Sequence, residues 1–140
     1  MNHVFFRALL ISLPRFLLLM FLLAALQWVE WSPLPVWTGV ALSYVLHFLL
    51  TYLAARWVFA RHSPTSHDVW ATAIILVAME LLLEGLALML FMSADLSDVL
   101  RQYGWVSLVI IAMYVLATVG AAARATRVHV KQVMPEGLEG

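Results

Sequence analysis

The sequence predicts an all-α integral membrane protein, a bundle of four transmembrane helices with both termini cytoplasmic, and three observations carry that expectation. Hydrophobic residues make up 64% of the 140-residue chain and charged residues 11%, with a mean hydropathy of +0.95; soluble domains average about 25% charged residues. Four apolar stretches, about 9–29, 36–59, 69–92 and 104–123, approach or exceed the roughly 20 residues that a spanning helix needs. The basic residues gather at one set of segment ends. Arg7 and Arg15 flank the first stretch, Arg56 and Arg61 separate the second from the third, and Arg124, Arg127 and Lys131 follow the fourth. Glu30, Asp95, Asp98 and a single Arg101 fall in the opposite connections, so the positive-inside rule puts both termini in the cytoplasm.

Residues 1–13 mix His3, Arg7 and Ser12 with apolar side chains and read as partly interfacial, which leaves Pro14 in the first turn of the first span, where proline is tolerated. This stretch does not read as a cleaved signal peptide. It has no small-x-small site before a polar mature start, and Gln27-Trp28 leads into an aromatic belt instead. Trp28, Trp31, Trp37 and Trp105 would mark the outer interface, and Trp57 and Trp70 the inner one. Ser32-Pro33-Leu34-Pro35 forms an outer turn, and residues 61–68 an inner loop in which Ser66 or Asp68 caps the third span. Residues 93–103 make the second outer connection. The chain is thus one domain, 1–131, built from two hairpins, 1–61 and 66–131, followed by a disordered cytoplasmic tail, 132–140. A faint internal repeat accompanies the hairpins: Ala54-Ala55-Arg56 closes the second span and Ala122-Ala123-Arg124 the fourth.

Composition also narrows the chemistry. Cysteine is absent, which removes disulfides, thiolate metal sites and cysteine nucleophiles. Short loops leave no room for a water-facing constellation of nucleophile, general acid and base, so the expectation is a protein that is not an enzyme, holds no metal or cofactor and binds no nucleic acid. Haem is disfavoured because His47 has no second histidine within the spans; His3, His62, His67 and His129 lie on the cytoplasmic side without metal-ligand spacing.

The third span carries two carboxylates, Glu80 and Glu84, one helical turn apart on one face and roughly 16 and 22 Å from its start. An ionised side chain at bilayer centre costs roughly 2.5–3.5 kcal/mol on insertion scales, so such groups face a bundle interior or a water path. Two adjacent anions there require that one be protonated or paired with a cation. Two readings stand: a proton relay or substrate partner, and a pair of neutral acids hydrogen-bonding neighbouring helices. His47, near the middle of the second span, is within reach of either glutamate if spans two and three pack together. Arg15, Arg56 and Arg61, with Trp57 and Phe59 beside them, are expected to ring the cytoplasmic headgroup level, either as phosphate ligands or as ordinary snorkelling side chains. Ala117 with Ala121, and Gly85 with Ala87, offer small faces for close helix approach.

The run His47-Phe48-Leu49-Leu50-Thr51-Tyr52-Leu53-Ala54-Ala55-Arg56-Trp57-Val58-Phe59 resembles the second-helix signature of the GtrA-like family, in which an asparagine-phenylalanine pair is followed by apolar residues, a basic residue and tryptophan-x-phenylalanine. Arg15-Phe16-Leu17-Leu18 resembles that family's opening. Here His47 replaces the asparagine, and the second hairpin lacks the repeated closing motif. The resemblance implies translocation or presentation of a polyprenyl-phosphate-linked sugar at the bacterial inner membrane, alongside a glycosyltransferase; four helices enclose too little space for a wide polar path, so transport would need a homo-oligomer. By that resemblance Arg15, Arg56 and Trp57 would meet the lipid phosphate and His47 would face the bundle; by placement Arg61 would join the phosphate contacts, and Glu80, Glu84 and His47 would hydrogen-bond the sugar. A proton-coupled exporter of small cations and a non-transporting membrane subunit are the alternatives.

Overall fold

A computed structural model of the chain describes residues 2–28, 36–91, 95, 97, 101 and 105–133. Among them are four α-helices and no strand: α1 (Asn2–Trp28), α2 (Val36–Val58), α3 (Ser66–Phe91) and α4 (Trp105–Val133). Each contains a stretch long and apolar enough to cross a membrane: His3–Ala25, Thr38–Val58, Ser66–Phe91 and Ser107–Val130. These helices suggest a multi-pass membrane protein.

Two helix boundaries differ from the sequence reading. α1 starts at Asn2, so Pro14 lies inside it instead of in its first turn. Proline there removes one backbone hydrogen bond and crowds the preceding turn; Pro14 points outward, where the ring meets no neighbouring helix. α4 continues to Val133, ten residues past the expected end, because 124–133 contains no helix breaker. The rest of the expected tail, 134–140, lies outside the described residues, as do Glu30, Trp31 and Asp98 and the 32–35 turn; nothing is described of the side chains of Trp28, Trp37 and Trp105.

The start of α3 shows why the chain turns where it does. Thr65 is the cap: its hydroxyl oxygen accepts from the Asp68 amide at 3.2 Å, while Asp68 Oδ2 accepts from the Thr65 amide at 3.0 Å. This reciprocal pair is a capping box, which satisfies otherwise orphaned amides of the first turn. Ser66, one of the two expected caps, is instead the first helical residue.

Side-chain sizes are distributed inside out relative to a soluble bundle. Ala8, Ala55, Ala117, Ala121, Ser12, Thr51, Thr72 and Thr118 are fully buried, whereas Phe21, Leu90 and Phe91 are 70%, 75% and 86% exposed. Small inward residues let backbones approach closely, and large apolar side chains on the outside suit contact with lipid. Along α1 the inward positions are Val4, Ala8, Ser12, Arg15, Phe16 and Leu19, a spacing of three and four that keeps them on one face.

α1 packs on α2 and α3, α4 packs on the same two, and α2 barely touches α3. The order around the bundle is therefore α1, α2, α4, α3, with α1 diagonally opposite α4. The two hairpins lie side by side in the same sense, and residues 59–65 cross between them. Arg7 Nη1 donates to the Val58 carbonyl at 2.9 Å, tying the start of α1 to the last residue of α2, and its guanidinium stacks over Trp57 at 4.5 Å. Phe59 is fully buried beneath this corner, edge-on to His62. Ala54, Ala55 and Ala122 are buried but Ala123 is exposed, so the two closing motifs do not make equivalent contacts; Ala117, Ala121 and Gly85 are buried within the bundle.

Ala121→Leu should force α2 and α4 apart and destabilise the protein by about 1–3 kcal/mol. Reversible unfolding in mixed micelles measures this; an unchanged midpoint would show that the helices do not meet there.

Candidate functional site

Arg15 lies in the interior, 4% exposed, and its guanidinium reaches all three other helices. Nη2 donates to Glu80 Oε2 on α3. Nη1 donates to Thr51 Oγ1 on α2 at 3.1 Å and to the Tyr114 hydroxyl on α4 at 2.8 Å. The Arg15 carbon centre also sits 4.8 Å from the Tyr114 ring centroid. The bond to Tyr114 crosses a diagonal that the helix backbones do not close.

Helix register explains the meeting. Arg7 marks the level of Val58, and Arg15, eight residues along α1, lies about 12 Å further in; Thr51, seven residues back along α2, lies about 10.5 Å in. Counted from its own helix start, Arg15 is about 20 Å deep and Glu80 about 21 Å.

His47 completes the cluster. Its Nδ1 is 2.9 Å from the Ser43 carbonyl, which can only accept, so that nitrogen carries a proton and the other is left free. Nε2 faces Glu80 Oε1 at 3.9 Å, too long for a hydrogen bond, and the ring lies 6.4 Å from that of Tyr114. Glu84, one turn beyond Glu80, is half-buried and makes no hydrogen bond with the described residues. It lines, with His47, Glu80, Ser107 and Tyr114, a cavity of about 20 Å³, room for a single water molecule. Thr118 Oγ1 donates to the Tyr114 carbonyl at 2.8 Å and so satisfies its own hydroxyl within α4.

The structure therefore separates the expected site residues into two groups. Glu80, Glu84, His47 and Arg15 come together in the interior. Arg56, Trp57 and Arg61 are exposed near the end of α2. Arg15 does not join that ring, because an α1 that begins at Asn2 carries it to the depth of Glu80. Arg7 takes the place beside Trp57.

Thr51 and Tyr114 were missed by sequence reasoning. A threonine hydroxyl inside an apolar helix can bond its own backbone, and nothing in the local sequence distinguishes Thr51 from Thr118; a tyrosine hydroxyl needs a partner elsewhere, but the sequence does not say on which helix. Glu80 signalled the need for a cation, but Arg15 was hidden as its partner, because only a helix that starts at Asn2 brings Arg15 to the same depth.

A second cavity opens at the end where α1 begins and α4 finishes. It measures about 480 Å³ and is lined by Tyr52 on α2 and by Gly120, Ala123, Arg124, Arg127 and Val128 on α4. Arg124 and Arg127 are exposed, three residues apart on one face, and neither has an acidic partner among the described residues. No group of three or more metal-ligating side chains occurs among the described residues.

No protein-family model, curated protein or solved structure matches this chain. Fold and site define a class: an all-α protein of four helices able to cross a membrane, locked internally by a four-helix polar network and carrying a basic groove at one end.

Removing one partner of a buried ion pair leaves an uncompensated charge at a cost of about 3–5 kcal/mol, whereas replacing both with apolar residues can be neutral. Arg15→Met and Glu80→Met should each destabilise by that amount, and the double variant by less than either alone. A double-mutant cycle on unfolding in mixed micelles tests this; additive losses would mean that the two side chains do not pair.

Proposed function

We propose that this protein translocates or presents a polyprenyl-phosphate-linked sugar at a bacterial inner membrane, with both termini cytoplasmic and a glycosyltransferase as the enzyme it serves. The observation that carries the reading is the open groove between α2 and α4. Its two arginines lack acidic partners among the described residues, and guanidinium groups match phosphate oxygens in pairs. The exposed Leu and Phe side chains of the helices suit the prenyl chain, which needs only an apolar surface to lie along. The resemblance to the GtrA-like family in His47–Phe59 and Arg15–Leu18 supports the same substrate class.

The reading assigns roles differently from the sequence motif alone. Phosphate contacts fall to Arg124 and Arg127, with Arg56 and Arg61 as further cations of the same end. Arg15 is excluded from them, because its guanidinium is engaged by Glu80, Thr51 and Tyr114. The interior cavity admits one water and no sugar. Passage of a headgroup thus needs a path along the outside of the bundle or between copies, which supports presentation or a homo-oligomeric translocator.

Native mass spectrometry of the protein extracted in mild detergent tests the reading. Wild type should carry a polyprenyl phosphate lipid that is lost in Arg124→Ala/Arg127→Ala and retained in Ala123→Ser. Wild type free of lipid, or carrying only ordinary phospholipid, would overturn it.

A further inference from the structure

One carboxyl in the interior is left over when the ion pair is complete. The Arg15 guanidinium and the Glu80 carboxylate are in direct contact and balance each other's charge. Glu84 sits one turn further along α3 without a cation or a hydrogen bond of its own among the described residues. His47, across the same small cavity, presents Nε2, the one ring nitrogen whose protonation can change. The ionisable groups around this point are Arg15 from α1, His47 from α2, Glu80 and Glu84 from α3, and Tyr114 from α4.

Net charge decides how many protons this set holds. With Arg15 and Glu80 cancelling and the Tyr114 hydroxyl neutral, an empty His47/Glu84 pair leaves the interior at −1. Two protons on the pair leave it at +1, and one leaves it at zero. An uncompensated charge in a low-dielectric interior is costly, so the singly occupied state is favoured wherever that one proton resides.

We propose that His47 and Glu84 form a proton-binding site that holds one dissociable proton between them. Transfer balances as follows. The Glu84 O–H bond breaks as its proton passes to a water in the cavity, which gives up another to His47 Nε2, leaving a carboxylate and an imidazolium. The 20 Å³ cavity has room for that water. Beyond Glu84 the next polar group lining the cavity is Ser107, two residues into α4. The site thus lies toward the end opposite the basic groove, so the proton and the anion groove belong to opposite faces of the protein. This goes beyond the lipid reading and does not depend on it.

The test is spectroscopic and uses the full chain, freed of co-purified lipid and placed in nanodiscs of a neutral phosphatidylcholine at pH 7. Nitrogen-15 chemical shifts of labelled histidine, with His47 assigned by difference from His47→Gln, report Nε2 protonation. The infrared carboxylic-acid band, assigned by difference from Glu84→Gln, reports Glu84. Summed occupancy of one in wild type is expected; zero or two overturns the proposal, without any variant having to fold. In His47→Gln the acid band should rise to full intensity, since the proton has only Glu84 to occupy. In Glu84→Gln, His47 should be fully neutral, and an imidazolium there would overturn the charge-balance argument. The proton count is read on lipid-free protein and the lipid by mass, with no reference to the proton, so the two readings fail separately.

Discussion

The ion pair between Arg15 and Glu80 is the constraint on which the rest of the bundle depends. A guanidinium taken out of water carries a desolvation cost of several kcal/mol, recovered only if charge and hydrogen-bond partners are supplied in good geometry. Arg15 finds those partners on every other helix: Glu80 on α3, Thr51 on α2 and Tyr114 on α4. Since α1 and α4 do not touch through their backbones, the bond to Tyr114 reaches across the bundle centre. Apolar packing between lipid-like surfaces has little directional preference, and in a membrane it supplies little drive for association. The polar cluster supplies register: shifting any one helix by a turn moves its partner about 5.4 Å out of reach of Arg15.

Small residues make that cluster geometrically possible. Ala8, Ala55, Ala117 and Ala121 bring the helices close enough for short side chains such as Thr51 to bridge them. Large side chains such as Leu19, Phe59, Leu76 and Tyr114 fill the interior between these small residues, while many other leucines and phenylalanines face out. The corner made by Arg7, Val58, Trp57 and Phe59 then fixes the level at which α1 and α2 start to pair. From that level, counting residues along each helix leads to Arg15 and Thr51 at the same depth.

The helical architecture was legible because four long apolar runs separated by proline, serine and charged residues admit few other readings. The importance of Glu80, Glu84 and His47 was legible for a related reason, as ionisable groups in such runs must face something polar. What the local sequence concealed was the partner. Pro14 suggested a helix start, which placed Arg15 at the bilayer edge; the actual start at Asn2 moves it inward by a dozen residues. Which hydroxyls join the cluster depends on the order of helices around the bundle, and that order is a property of tertiary packing. Arg124 and Arg127 read equally well as topology-setting charges and as groove residues until α2 is placed beside them.

The two sites are joined by consecutive residues of one helix. Thr51 accepts from Arg15 in the interior, and Tyr52, the next residue, lines the basic groove, where Gly120 of α4 leaves the tyrosine ring uncovered by a side chain. A helix segment moves as a unit, because its hydrogen-bond ladder fixes adjacent residues relative to one another. Displacing Tyr52 to admit a headgroup would therefore drag Thr51 away from Arg15, and Arg15 also holds Tyr114 and Glu80. Such a coupling is physical only if the interior has two arrangements of similar energy. The proposed proton site would offer them if its two zero-charge states, with the proton on the Glu84 carboxyl or on the imidazole beside Glu80, lie close in energy. In the second arrangement an imidazolium, 3.9 Å from Glu80 Oε1, would compete with Arg15 for the same carboxylate, and that competition would link proton position to the grip of α1 on α2.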